Sequence, residues 1–368
     1  LIFACIIGID IHTPSLPSMT EFFNCSVDVI QLAIPLFIFG ASIGIIIWGP
    51  LSDRWGRSTI LHMSSTVVII SALAATQTSN IYAFNALRVA QGFGAGAAMC
   101  LGRVIAADLL NKDQLASIGS LMGLITGLGP LLAPIIGGYM ETYFSWQYGF
   151  FVYSGLTAVA LLFFNRFFRE TVEHHTLSSK PRLEALNILS AKFFGLSTRC
   201  GLVLSVFNTY AVVAPFLVQV EMKASPLFFG WLSGYCASCQ VLTKLAVPFL
   251  LRKYTARQVH LAGWCLLGTS GLLLLVRLFI MPTSLYAFVP LIGISFCTPH
   301  MILPYLFSEA MDIPAPKGLL GALYTAIGML IGGVFTFIIA IIPYEGSGLL
   351  SIYYICLSIL GLIVSFAI

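Results

Sequence analysis

The stretch Gly8-Ile9-Asp10-Ile11-His12-Thr13-Pro14-Ser15-Leu16-Pro17 sets a carboxylate and an imidazole inside an apolar opening run, then ends that run with two prolines. An ionisable group at membrane depth costs a few kcal/mol or more, so its presence points to function. Asp10 is expected to bind and release a proton. Two readings stay open for His12: a second proton carrier or ligand contact, or a histidine that is merely hydrogen-bonded. A third ionisable group, Arg88, lies in the fourth apolar run, within Leu87-Arg88-Val89-Ala90-Gln91-Gly92-Phe93-Gly94-Ala95-Gly96. Counted at 1.5 Å per residue from the polar end, Arg88 lies roughly 9 Å deep, and Asp10 at a similar level. Desolvation raises a carboxyl pKa and a nearby guanidinium lowers it, and their balance decides whether Asp10 titrates near neutral pH. Arg88 is therefore either a partner in proton transfer or a structural group, paired with Asp10 or bonded to carbonyls.

The elements that carry these groups follow from composition. Of 368 residues, 58% are hydrophobic and 9% charged, against about 25% charged in soluble domains. That excludes a soluble fold and predicts an all-α polytopic membrane protein. Twelve apolar runs are expected at 1–18, 29–51, 59–78, 82–108, 115–139, 146–168, 193–217, 227–250, 257–280, 284–308, 317–342 and 348–368, each long enough to span a bilayer as a helix. The runs are continuous rather than alternating, which argues against a barrel. The long polar interval Arg169 to Ala191 divides the chain into a six-helix bundle (1–168), a linker (169–192) and a second bundle (193–368). Twelve of the eighteen Lys and Arg residues fall at one side: Arg54, Arg57, Lys112, Arg166, Arg169, Lys180, Arg182, Lys192, Arg252, Lys253, Arg257 and Lys317. By the positive-inside rule that side is cytoplasmic, with both termini. A scattered net charge of +4 excludes a nucleic-acid partner, and the nine cysteines, Cys236 and Cys239 included, read as small packing residues. Leu1 is not an initiator methionine, so a tail and the inner end of the first helix are expected upstream, and no cleavable signal pattern stands in the sequence.

Loop 2–3 reads Gly49-Pro50-Leu51-Ser52-Asp53-Arg54-Trp55-Gly56-Arg57. Gly49 and Gly56 permit a tight turn, Asp53 can accept from helix-terminal amides, and Arg57 offers a fork to a second carboxylate. The fifth run carries Gly119, Gly123 and Gly127, then Gly129-Pro130, Pro134 and Gly137-Gly138. Small residues at that spacing let helices approach closely, and prolines bend them. Gly92-x-Gly94-x-Gly96 reads as helix packing rather than a phosphate loop, since no strand precedes it and no lysine motif follows. Loop 2–3 resembles the signature of the major facilitator superfamily nearly residue for residue. The stretch around Arg88 resembles that superfamily's helix-4 motif, and the fifth run its antiporter motif. Asp10-x-x-x-Pro14-x-x-Pro17, Arg103-x-x-x-x-Asp108 and Arg169-Glu170-Thr171 narrow the resemblance to the Bcr/CflA-like drug/proton antiporters. His12 departs from that branch, which usually has an aromatic there. The resemblance implies two six-helix bundles related by a pseudo-two-fold axis. It also implies that Asp53 docks on the start of helix 11 near Gly318 and that Arg57 pairs with Asp108, latching an inner gate. Loop 8–9 keeps Arg252, Lys253 and Arg257 without an aspartate, so the latch is expected on one side only.

The second half has no intramembrane acid away from span ends. Asn208, Tyr210, Tyr235, Gln240, His300, Tyr305 and Tyr324 are its candidates for lining a solute pocket. The function expected is proton-coupled export of small organic, drug-like solutes across the inner membrane. The alternative is transport of one physiological solute, such as a metabolite or siderophore. No enzyme activity, metal or cofactor is expected beyond the proton gradient, and the chain is expected to be monomeric in the bilayer.

Overall fold

The computed structural model describes residues 1–109, 112–168, 170, 190–314, 317–343 and 348–366, with the backbone path alone for 103, 107, 112–126 and 317–319. The helices are α1 (Ile2–Asp10), α2 (Leu16–Phe23), α3 (Val27–Gln31), α4 (Ala33–Trp55), α5 (Arg57–Gln77), α6 (Ile81–Leu109) and α7 (Lys112–Tyr143). They continue as α8 (Trp146–Phe167), α9 (Ala191–Phe216), α10 (Pro226–Leu250), α11 (Ala256–Ile280), α12 (Leu285–Met311), α13 (Lys317–Ile341) and α14 (Gly348–Phe366). With α1 and α2 forming one interrupted crossing and α3 and α4 a second, the described residues make twelve crossings. Ten are long and apolar enough to span a bilayer by length and composition alone.

The first crossing is broken where the sequence demands it. Pro14 has no N–H to return to the carbonyl four residues back, and its ring would strike that carbonyl. That residue is Asp10, and α1 stops there. A single 3-10 turn, Thr13–Ser15, then leads into α2. Thr13 Oγ1 donates to the freed Asp10 carbonyl at 2.7 Å, as a backbone group out of reach of water requires. The 1–18 run is thus two helices hinged beside Asp10 rather than one. A second correction concerns loop 2–3. Helix α4 runs through Gly49 and Pro50 to Trp55, and Gly56 alone, at φ 89°, reverses the chain into α5. One left-handed residue suffices for the reversal, so Gly49 has no turn to make.

In the first half α4 lies on α6, α5 on α6 and α8, and α1 on α6, α7 and α8. In the second half α9 lies on α12, α13 and α14, while α11 lies on α12 and α14. The most extensive contacts between the halves are made by two helix pairs: α4 with α13, and α7 with α10. These are crossings two and eleven, and five and eight. Exchanging the halves converts one pair into the other, which is the two-fold relation expected of a repeated bundle.

Glycines set the closest approaches. A methyl on Gly92 or Gly96 of α6 would collide with α4 backbone carbonyls at Phe37 and Ala41, and one on Gly40 or Gly44 would collide with Val89 and Phe93 carbonyls of α6. Gly94 faces the other way, 2.5 Å from Ser64 O of α5 at its notional Cβ. The glycine-rich stretch is a two-sided packing surface.

Candidate functional site: the helix break and its arginine

Arg88 is fully buried. Its Nε donates to Ala33 O at 3.2 Å, and Nη1 donates to Gly8 O at 3.1 Å and to Gln91 Oε1 at 2.6 Å. The guanidinium carbon stands 4.5 Å from the Phe37 ring centroid and 5.9 Å from that of Phe150, a cation–π seating. Gln91 Nε2 passes the network on to Ser71 O at 3.2 Å. One side chain of α6 therefore ties together α1, α4 and, through Gln91, α5. Its Nη2 has no hydrogen-bond partner.

Asp10 ends α1 half-buried, and among the described residues its carboxylate makes no ion pair or hydrogen bond. It lies within electrostatic reach of Arg88 without a direct bond. Of the two structural readings for Arg88, bonding to carbonyls is the one seen. His12 is fully buried against Phe150, ring centroids 5.9 Å apart, and neither ring nitrogen finds a partner. It is not the hydrogen-bonded histidine that the sequence left as one option.

The break also meets the other half. Gln219 Nε2, in the π-turn Leu217–Glu221 that extends α9, donates to Pro14 O at 2.8 Å. Gln31 Nε2 donates to Val212 O at 3.1 Å. Both bonds lie toward the face opposite Arg54 and Arg57. The helix pairs close there too: a Cβ on Gly138 would sit 2.6 Å from Pro226 O, and one on Gly230 would sit 2.5 Å from Pro134 O. Phe39 of α4 meets Phe337 of α13, centroids 6.0 Å apart. In the fifth-crossing motif Gly137 faces Ile11 O of the break, Gly127 faces Val241 and Lys244 of α10, and Pro130 and Pro134 sit inside an unbroken α7. Gly123 lies among residues whose surroundings are not described.

On the basic face Arg57 is largely buried. It donates to Asp108 Oδ2 through Nε at 3.3 Å, and through Nη1 to Ser52 Oγ and Asp53 Oδ1. Asp53 is otherwise well exposed. The start of α13 near Gly318 and the side chain of Arg103 lie outside the described residues. The amides at the start of α5 are taken instead by Glu170, whose Oε1 accepts from Arg57 N at 3.1 Å and Oε2 from Ser58 N at 2.9 Å. Sequence reasoning assigned Glu170 no role. An acid just past α8, a helix that lies beside α5, was the available signal.

The second-half candidates divide. Gln240 and His300 meet across α10 and α12, Oε1 to Nε2 at 3.2 Å, with Lys244 in electrostatic reach. Tyr235 is 42% exposed beside Gly293, and Asn208 is half-buried. Tyr210 is a packing residue, buried between Phe229 and Phe296 with its hydroxyl on Ser233 Oγ. Tyr305 and Tyr324 lie elsewhere, around Arg199 near the basic face. These candidates thus fall in two neighbourhoods of the described structure.

Residues 1–340 match the family described as the Major Facilitator Superfamily. The chain belongs to the major facilitator superfamily. Among similar members of the superfamily is a bicyclomycin resistance protein homolog of Haemophilus influenzae, 37% identical over 43% of this chain and 40% of that protein. The chain therefore aligns with well under half of that relative's length. A chloramphenicol resistance protein of Pseudomonas aeruginosa is 24% identical over 97% of this chain and 86% of its own length. Among solved structures, a D-xylose–proton symporter overlays with a TM-score of 0.80 at 16% identity, covering 99% of this chain and 95% of that one. This last likeness concerns the superfamily fold alone.

Proposed function

We propose that this chain is a proton-coupled secondary transporter, not an enzyme, that exports small organic, drug-like solutes by alternating access. The carrying observation is the pairing at the helix break: a carboxylate without a partner and an arginine with one unused donor, close enough to sense each other. An ionised Asp10 can swing onto Arg88 Nη2, and protonation removes the reason to do so. In the outward-facing state Asp10 takes a proton and solute leaves. In the inward-facing state it loses the proton and solute rebinds. The resistance named in the two relatives favours export and makes chloramphenicol and bicyclomycin the first solutes to test.

In this reading the basic face is cytoplasmic, both termini lie there, and the protein is a monomer of the inner membrane. Two bundles, 1–168 and 193–368, rock about the α4–α13 and α7–α10 seams, joined by the linker 169–192. The described state is sealed on the face opposite the basic one. Asn208, Tyr235, Gln240 and His300 contribute to the solute path, and Arg57, Asp53 and Asp108 to the gate. The test is solute-dependent proton release from detergent-solubilised protein. Wild type should release protons on adding solute, and Asp10→Asn should bind without release. Release that survives Asp10→Asn removes this scheme, and counterflow limited to a single metabolite in proteoliposomes would replace drug export with a dedicated carrier.

A further inference from the structure

The second half holds a cavity of about 260 Å³ at the basic face, among α9, α11, α12 and α14, lined by Lys192, Arg199, Arg257, His260, Tyr305 and Glu309. A water's share of liquid volume is about 30 Å³, so the space takes a group the size of a phosphate with its substituents. Charge there is lopsided. Lys192 Nζ is neutralised by Glu309 Oε2 at 3.2 Å, which leaves Arg199 and Arg257 in excess. Arg199 is 4% exposed, and among the described residues its one hydrogen bond runs from Nε to Gly195 O at 3.3 Å. Both terminal amino groups of a buried guanidinium are therefore open toward the cavity, the planar fork that suits a phosphate. His260, 1% exposed, is held by Ser365 Oγ at 2.9 Å, and its ring lies tilted against Tyr305 with centroids 4.8 Å apart. The first turns of α9 and α11 both begin here, so two helix dipoles add positive potential.

We propose that this cavity binds a phosphate group, clamped by Arg199 and Arg257 with the Tyr305 hydroxyl as a further donor. With Glu309, already paired with Lys192, the acid in electrostatic reach, the charge of this buried guanidinium is only partly compensated, and a phosphate supplies the rest. Free inorganic phosphate and the headgroup of an acidic phospholipid share this chemistry. Basic pockets between helices at headgroup level commonly take the latter. The site is distinct from the helix break and does not depend on proton coupling.

The test uses the full chain in detergent, with thermal unfolding as the readout. It is titrated with inorganic phosphate against chloride at equal ionic strength, and with micelles containing phosphatidylglycerol against phosphatidylcholine. Saturable stabilisation by phosphate assigns a free-anion site, and stabilisation by phosphatidylglycerol alone assigns a lipid headgroup site. In either case Arg199→Gln and the exposed Arg257→Gln should each weaken the probe's apparent affinity at least ten-fold. Arg257→Gln is the control for folding, since its side chain is exposed. No stabilisation of wild type beyond the chloride and phosphatidylcholine controls overturns the proposal, as does an affinity unchanged in both variants.

Discussion

Gly230→Ala tests whether the α7–α10 seam is a conformational contact. The added methyl would stand 2.5 Å from the Pro134 carbonyl oxygen and 3.1 Å from Ile135 Cα, where ordinary contact begins at 3.4 Å. Backbone must withdraw by about 1 Å, and overpacking of this kind costs roughly 1–3 kcal/mol. The cost applies only to the state in which the two halves are sealed on this face. If the halves part there during transport, the whole cost becomes a population shift of roughly 5- to 150-fold toward the state open on this face. Gly92→Ala is the matched control, because it creates a worse clash, with Phe37 O, inside one half. Spin labels at Asn80→Cys and Thr283→Cys, in a background lacking the native cysteines, report the distance across this face by electron–electron resonance. Gly230→Ala should lengthen the dominant distance with little loss of melting temperature. Gly92→Ala should lower the melting temperature and leave the distance alone. Identical distance distributions for wild type and Gly230→Ala, with a lowered melting temperature, would refute the reasoning and make the seam static packing.

Three further outcomes are expected. Replacing His12 by Phe removes two buried ring nitrogens that lack partners; an unsatisfied buried group costs about 1–3 kcal/mol, so the variant should melt at a higher temperature, and lost proton release would instead reveal a carrier. Glu170→Gln weakens the acceptor that caps the first amides of α5 and should cost about 1 kcal/mol, read as a lower melting temperature that Glu170→Asp partly restores. A double-mutant cycle with Arg57→Gln and Asp108→Asn should give a coupling near 1 kcal/mol, because the pair is only partly shielded from solvent; a coupling of zero would remove Asp108 from the gate.

Depth along the helices was legible in the sequence, and direction around them was not. Residue counting sets Asp10 and Arg88 at one level, and the bond from Arg88 to Gly8 O puts them there. Arg57 and Asp108 both sit at the basic end and do meet. Tyr305 was grouped with Gln240 and His300 because all are polar or aromatic within apolar spans, yet its side chain turns toward Arg199. Which way a side chain turns depends on the helices packed around it, and no count along one helix carries that information. The Asp10 break was readable in principle, since Pro14 stands four residues on and Asp10, His12, Thr13 and Ser15 interrupt the apolar run, but span length alone does not separate one bent crossing from one straight helix. Gln31, Gln91, Gln219 and Glu170 were given no role for a different reason. Each bonds a backbone group distant in sequence, and such partners leave no trace in local spacing.

The bond from Gln219 to Pro14 O has a mechanical consequence. A carbonyl exposed by the proline hinge is capped by a donor that belongs to the opposite half of the molecule. Any separation of the halves on that face uncaps it, along with Val212 O, and only water can replace the lost donors. Parting the seam therefore draws hydration to within one helical turn of Asp10, so that the movement which unseals the protein also brings a proton source to its carboxylate.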